Sequence, residues 1–229
     1  MRYPVMKIGH RGARGHVAEN TIESIKKALE FGVDAIEIDV HVCASGELVV
    51  FHDFTLDRVT DGSGDISKFT LTELKALKVD HKFRIPALKE VMDVLDKRCF
   101  INIELKGKNT PEAVSKLVNF YVNHRGWSYR DILISSFQHE LLTSIREQNS
   151  RVMLGVLTDT DLDEALLFGK QLHAESVNPD YTMLTKEHVS KIKAEGFKVY
   201  TWTVNEEKAI RRIKLYGVDG IISDFPDRL

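Results

Sequence analysis

The chain has 229 residues, 43% apolar and 29% charged, with a formal net charge of −2. That suits one globular domain with a good core, within the size range of a single α/β barrel. No basic stripe or arm suggests nucleic acid, and two distant cysteines, Cys43 and Cys99, make neither a disulfide framework nor a metal motif.

The opening MRYPVMKIGHRG lacks the apolar core of a signal peptide. No run approaches the roughly 18 apolar residues that cross a bilayer. The expectation is a soluble, cytoplasmic protein with buried free thiols. Residues 5–9 read as a short apolar strand running into His10-Arg11-Gly12. Asn20-Thr21-Ile22-Glu23 reads as a capping box with Asn20 opening the helix. Ile22, Ile25, Ala28 and Leu29 form its apolar stripe, and Gly32 stops it.

Residues 35–53, AIEIDVHVCASGELVVFHD, read as a hairpin. Ile36, Ile38 and Val40 alternate with Glu37 and Asp39, so both carboxylates share one strand face. Acids placed together repel unless a cation or a proton sits between them. Ser45-Gly46 reads as a two-residue turn, which sets Asp39 opposite His52 and brings Asp53 near.

The next stretch, FTLDRVTDGSGDISKF, is rich in turn residues. Thr70-Leu71-Thr72-Glu73 is a capping box for a short helix, and Pro86 starts another. Residues 54–85 are too long for an ordinary connection and read as an insertion. Ile101, Ile103 and Leu105 then alternate with Asn102, Glu104 and Lys106, repeating the pattern of the hairpin. Thr110-Pro111 caps a helix with proline at its first position. Further strands begin near Ile132, Val152, Glu175, Lys198 and Val218, with helices between them, and Asn205 is expected to cap the last helix.

With the hairpin return folded into the second unit, eight strands alternate with helices. That predicts a closed (β/α)8 TIM barrel spanning residues 1–229 as one domain, with a small insertion after the second-strand hairpin. A doubly wound open sheet is the runner-up. Barrel sites gather at the carboxyl ends of the strands. Here those ends carry His10, Arg11, Glu37, Asp39, Glu104, Lys106, Ser136, Phe137, Asn178, Trp202 and Asp224. His52 joins them through the hairpin.

Glu37, Asp39 and Glu104 together call for a divalent cation, and all-oxygen ligation suits Mg²⁺ or Ca²⁺. With Arg11 and Lys106 the cluster becomes net positive, which fits an anionic substrate such as a phosphodiester. His10 and His52 are placed to act as general acid and base.

The segments HRGARGHVAENT, EIDVHV, VVFHD and IELK, with TDGSGDISKFTLTEL, RIPALKEV, ISSF, WTVN and IISDFPD, resemble the glycerophosphodiester phosphodiesterase family along nearly the whole chain and in order. The resemblance implies a metal-dependent hydrolase that releases glycerol 3-phosphate and an alcohol from substrates such as glycerophosphocholine and glycerophosphoethanolamine. It assigns Glu37, Asp39 and Glu104 to the metal, His10 and His52 to acid–base chemistry, and Arg11 and Lys106 to the phosphate. Glu19 and Asn20 stand where the family's PENT motif supports the site, with Ala18 in place of the proline, and Trp202 is a candidate for stacking on substrate. The competing readings are a lysophospholipase D using the same residues on lipids, and a non-catalytic phosphate-binding barrel. The retention of both histidines and all three acids argues against the second.

Overall fold

The computed structural model describes residues 5–229. Residues 1–4, which open the stretch read as lacking a leader, lie outside the described residues. In chain order the elements are β1 (Met6–His10), α1 (Ile22–Glu30), β2 (Ala35–Val42), β3 (Leu48–Val50), α2 (Leu71–Ala76) and α3 (Leu88–Leu95). They continue with β4 (Phe100–Leu105), α4 (Thr110–His124), β5 (Ile132–Ser136), α5 (His139–Gln148), β6 (Met153–Thr158) and α6 (Leu162–Leu172). The chain finishes with β7 (Ser176–Pro179), α7 (Lys186–Ala194), β8 (Lys198–Thr201), α8 (Glu207–Tyr216) and β9 (Gly220–Ser223).

Among the described residues, β1 pairs in parallel with both β2 and β9, and every other neighbour pair around the ring is also parallel. The eight parallel strands therefore close into a barrel, and the open-sheet alternative falls with the β1–β2 pairing. β3 hangs antiparallel on the outer end of β2.

Three apolar clusters follow from the two faces of each strand. Ile36, Ile38, Ile101, Ile103, Ile134, Val177 and Val199 point outward and pack with buried residues of the helices, such as Ile25, Val91, Val114 and Ile145. Ile8, Ala35, Leu133, Tyr200 and Ile222 plug the barrel interior. A separate small core joins Leu56, Ile66, Leu74, Val79 and Ile85, from the segment after β3, to Cys43, Val49 and Phe51 of the hairpin. Thr70 and Glu73 cap α2 reciprocally, as expected. No helix among the described residues is long and apolar enough to cross a membrane.

Five local expectations are corrected. The hairpin pairs Val40 with Val50, His41 with Val49 and Val42 with Leu48. Cys43 N–H then bonds Glu47 O, and Gly46 N–H bonds Cys43 O, with Gly46 at φ 93°. The loop is thus residues 44–46, a three-residue hairpin closing on a left-handed glycine rather than a two-residue turn. Phe51, not His52, lies across from Asp39, its N–H bonding Asp39 O at 3.0 Å.

The other corrections concern helix starts. Thr21, not Asn20, caps α1, its hydroxyl accepting from Ser24 N–H. α3 starts at Leu88 rather than at Pro86, with Ala87 in the cap position and its N–H satisfied by Glu90. α4 starts on Thr110 itself, with Pro111 second and Asn109 as the cap position. Glu206, not Asn205, holds that position on α8. Asn20 and Asn205 are each diverted by a carboxylate in the barrel mouth, a tertiary contact that local propensity does not reveal.

Candidate active site

Strand register builds the acidic cluster. β2 and β4 pair so that Asp39 is level with Glu104, and Glu37 with Asn102. Residues two apart on a strand share a face, so Glu37, Asp39 and Glu104 all project into the barrel mouth. Each offers an oxygen within 4.8 Å of the others, and all three side chains are buried.

The carboxylates are unequally supported. Asp39 Oδ2 accepts from Asn20 Nδ2 at 2.9 Å and lies 3.1 Å from Arg11 Nε, and its Oδ1 is 3.2 Å from Lys106 Nζ. Burial would raise its pKa, but the charges of Lys106, Arg11 and His52 and the Asn20 bond outweigh it and hold it ionised. Glu37 receives one backbone bond, from Arg11 N–H at 3.1 Å. Burial, then repulsion from Asp39 and Glu104, raises it far above the usual carboxylate range. Glu104 is pushed up to about 7, by burial first and Asp39 second, although Lys106 Nζ donates to its Oε1 at 2.5 Å. Buried Glu37 Oε1 and Asp39 Oδ1 accept no hydrogen bond. Two buried oxygens that accept no hydrogen bond, beside two acids, Glu37 and Glu104, that resist ionising, fit a site that takes a hard cation.

The loop after β1 brings Arg11 to this cluster by a tight turn. Arg11 has φ 50° and Gly12 φ 86°, and a Cβ on Gly9 would stand 2.3 Å from Gly12 O. A side chain at that position does not fit. Arg11 Nη1 donates to Glu19 Oε1 at 2.7 Å, so Glu19 steadies the arginine. Asn20, itself at φ 57°, holds Asp39.

The two predicted histidines reach one cavity of about 190 Å³ from different sides. It is lined by both rings together with Arg11, Glu37, Glu104, Lys106 and Trp202. His10 Nδ1 bonds Asp224 Oδ1 at 2.6 Å, and its Nε2 lies 3.9 Å from Glu37 Oε2. Asp224 is gripped in turn by Asn205 Nδ2 at 2.8 Å. Burial pushes the His10 imidazole below its ordinary value, against the pull of Asp224. His52 Nδ1 bonds Asp53 Oδ1 at 2.5 Å, while His41 Nε2 donates to the His52 carbonyl at 3.1 Å. Its pKa is also lowered, chiefly by burial. Trp202 Nε1 donates to the Asn178 carbonyl at 2.9 Å, which fixes the indole on the rim beside Phe137.

All ten candidates therefore converge on the mouth: the three acids, both histidines, Arg11, Lys106 and Trp202 directly, and Glu19 and Asn20 behind them. Four further contributors, Asp224, Asn205, His41 and Arg58, are not singled out as site residues by the sequence. Asp224 was visible at a strand end, but nothing in the sequence says which ring it would hold. The other three act through particular contacts that no local pattern encodes: Asn205 with Asp224, His41 with the His52 carbonyl, and Arg58 with Asp53 and Glu19.

The chain matches known proteins over nearly its whole length. The family model described as "Glycerophosphoryl diester phosphodiesterase family" matches residues 10–228. A glycerophosphodiester phosphodiesterase of Caldanaerobacter subterraneus subsp. tengcongensis is 37% identical over 97% of this chain and 95% of its own. A lysophospholipase D of Homo sapiens is 28% identical over 100% of this chain and 86% of its own. Among solved structures, a phosphodiesterase of Oleispira antarctica in complex with the product sn-glycerol-3-phosphate superposes with a TM-score of 0.89. It is 30% identical and covers 98% of this chain and 94% of its own.

Proposed function

The chain belongs to the glycerophosphoryl diester phosphodiesterase family, a family of hydrolases, and from that premise we propose that it cleaves glycerophosphodiesters such as glycerophosphocholine and glycerophosphoethanolamine to glycerol 3-phosphate and an alcohol. We read the chain as a single barrel unit in which residues 54–85 are inserted. The observation that carries the functional reading is the clustering of three buried acids, two of which line one small cavity together with both carboxylate-oriented imidazoles.

Glu37, Asp39 and Glu104 would hold one divalent cation, Mg²⁺ or Ca²⁺, which when bound supplies charge neutralisation and Lewis-acid polarisation of the phosphodiester. Arg11 and Lys106 bind the non-bridging oxygens and stabilise the charge that builds on them in the transition state. Asp224 accepts a hydrogen bond from Nδ1–H of neutral His10, leaving its Nε2 lone pair toward the cavity. Asp53 does the same for His52. One imidazole removes a proton from the nucleophile, either water or the neighbouring glycerol hydroxyl. The other, as imidazolium, gives its proton to the leaving alcohol oxygen as the P–O bond breaks. If the glycerol hydroxyl attacks, the cyclic phosphate that forms is opened by water with the two roles exchanged. Trp202 packs its indole face on the glycerol or alcohol portion. Glu19 and Asn20 hold Arg11 and Asp39 in register for these contacts.

The test is release of glycerol 3-phosphate from glycerophosphocholine with Mg²⁺, with Ca²⁺ and with EDTA. Release with one of the cations and none with EDTA is expected; cation-independent release, or none, sinks the reading. The human relative named a lysophospholipase D favours a second reading, with lipid substrates. Faster turnover of lysophosphatidylcholine than of glycerophosphocholine would establish it.

A further inference from the structure

We propose that Arg58 is a positioning residue for His52, through which residues 54–85 are fastened to the reacting groups. This rests on the reading of His52 as one of the acid–base pair.

Arg58 does not line the cavity that holds the two imidazoles. Its guanidinium instead grips two carboxylates at once. Nε donates to Asp53 Oδ2 at 2.6 Å and Nη2 to Asp53 Oδ1 at 3.0 Å. Nη2 also donates to Glu19 Oε1 at 2.6 Å, and Nη1 to Glu19 Oε2 at 3.2 Å. Each carboxylate then touches a different half of the site. Asp53 Oδ1 bonds the His52 ring. Glu19 accepts from Arg11 Nη1 and lies 2.9 Å from Arg14 Nε, and Arg11 lies against Asp39.

The forked geometry matters because a lone carboxylate at the surface is free to turn. Bidentate pairing fixes the plane of Asp53 as well as its position, as a point charge on lysine would not. The plane of Asp53 in turn fixes which way the His52 ring faces. The peptide of His52 is secured separately, by His41, so losing Arg58 frees the ring without unmooring the chain. Arg58 itself stands on firm ground. Leu56 is buried in the small core, its N–H bonds Gly64 O, and Thr60 Oγ1 donates back to Leu56 O at 2.7 Å. A segment anchored in the small core thereby reaches the imidazole through Arg58 and Asp53. Exposed ion pairs usually add little stability, so the expected effect is on turnover.

The experiment compares Arg58→Met, Arg58→Lys, Asp53→Asn and the Arg58→Met/Asp53→Asn double variant, with His52→Ala alongside. Arg58→Met should lower kcat by about 10-fold with KM changed less than about threefold, the scale seen when a group that orients a functional histidine is lost. Added guanidinium ion should restore part of the loss, and Arg58→Lys should recover less than guanidinium does. The double variant should be no slower than the slower single variant, because both act through one ring. Independently of activity, ¹⁵N–¹H spectra of histidine-labelled protein should show the hydrogen-bonded His52 Nδ1 proton in the wild type and its loss in Arg58→Met. The proposal is overturned if Arg58→Met keeps its kcat, if the two losses multiply, or if the His52 resonance is unmoved. Should His52→Ala remain active while that resonance still responds to Arg58, the acid–base reading of His52 fails and the positioning contact stands.

Discussion

His10 and His52 face one cavity but rest on unlike supports. His10 ends a barrel strand, and its carboxylate partner, Asp224, directly follows another, with Asn205 behind it. Its side chain is 12% exposed. His52 lies past the end of a short hairpin strand, its partner is the next residue in the chain, and Arg58 of the outlying segment stands behind that. Its side chain is 31% exposed. One half of the site is thus set by barrel closure and the other by how a satellite core docks. The first half should resist perturbation of the surface, and the second should feel it.

The largest effect tests whether the halves are equal partners. His10→Ala and His52→Ala should each lower glycerol 3-phosphate release at least about 10²-fold. A large loss in only one of them would make the comparison one between an active residue and a bystander. Next is Asp224→Asn, which keeps shape but removes the charge that sets the His10 tautomer, and should cost about 10-fold in kcat. Thr70→Ala removes the reciprocal cap of α2. At about 1 kcal/mol it should speed amide exchange in α2 and leave the amides of α1 unchanged; equal acceleration in both would mean that the segment and barrel open as one unit.

The smallest effect is on pH dependence. Burial works to raise Asp53, but the hydrogen bonds from Arg58 and His52 prevail and hold it at about 2. A carboxyl with a lowered folded-state pKa adds stability that is full above its unfolded value, near about 4, and is lost as pH falls through about 2. Thermal midpoints of wild type and Asp53→Asn should therefore differ at about pH 6 and converge in acid.

Much of this was legible in the residues. Alternation in two strands aimed Glu37, Asp39 and Glu104 at one face, and eight alternating units implied closure. Other features depended on single residues in ways no pattern encodes. One extra residue in the hairpin loop moved Phe51 to the position assigned to His52, and His52 enters the site by leaving the ladder after β3. Asn20 and Asn205 carry strong local signals for helix caps, yet each is spent on a carboxylate of the mouth. Arg58 sat in a stretch that reads only as turns, because its partners, Asp53 and Glu19, converge only once the small core has formed.

β3 has no polar face. Leu48 and Val50 pack with the helices around the barrel, while Val49 packs into the small core on the other side. This strand is therefore a party wall between two structures. A graft that swapped the outlying segment alone for a homologue's would mismatch Val49, and one that took the hairpin return along would mismatch Leu48 and Val50, so either exchange has to be matched by repacking across the wall.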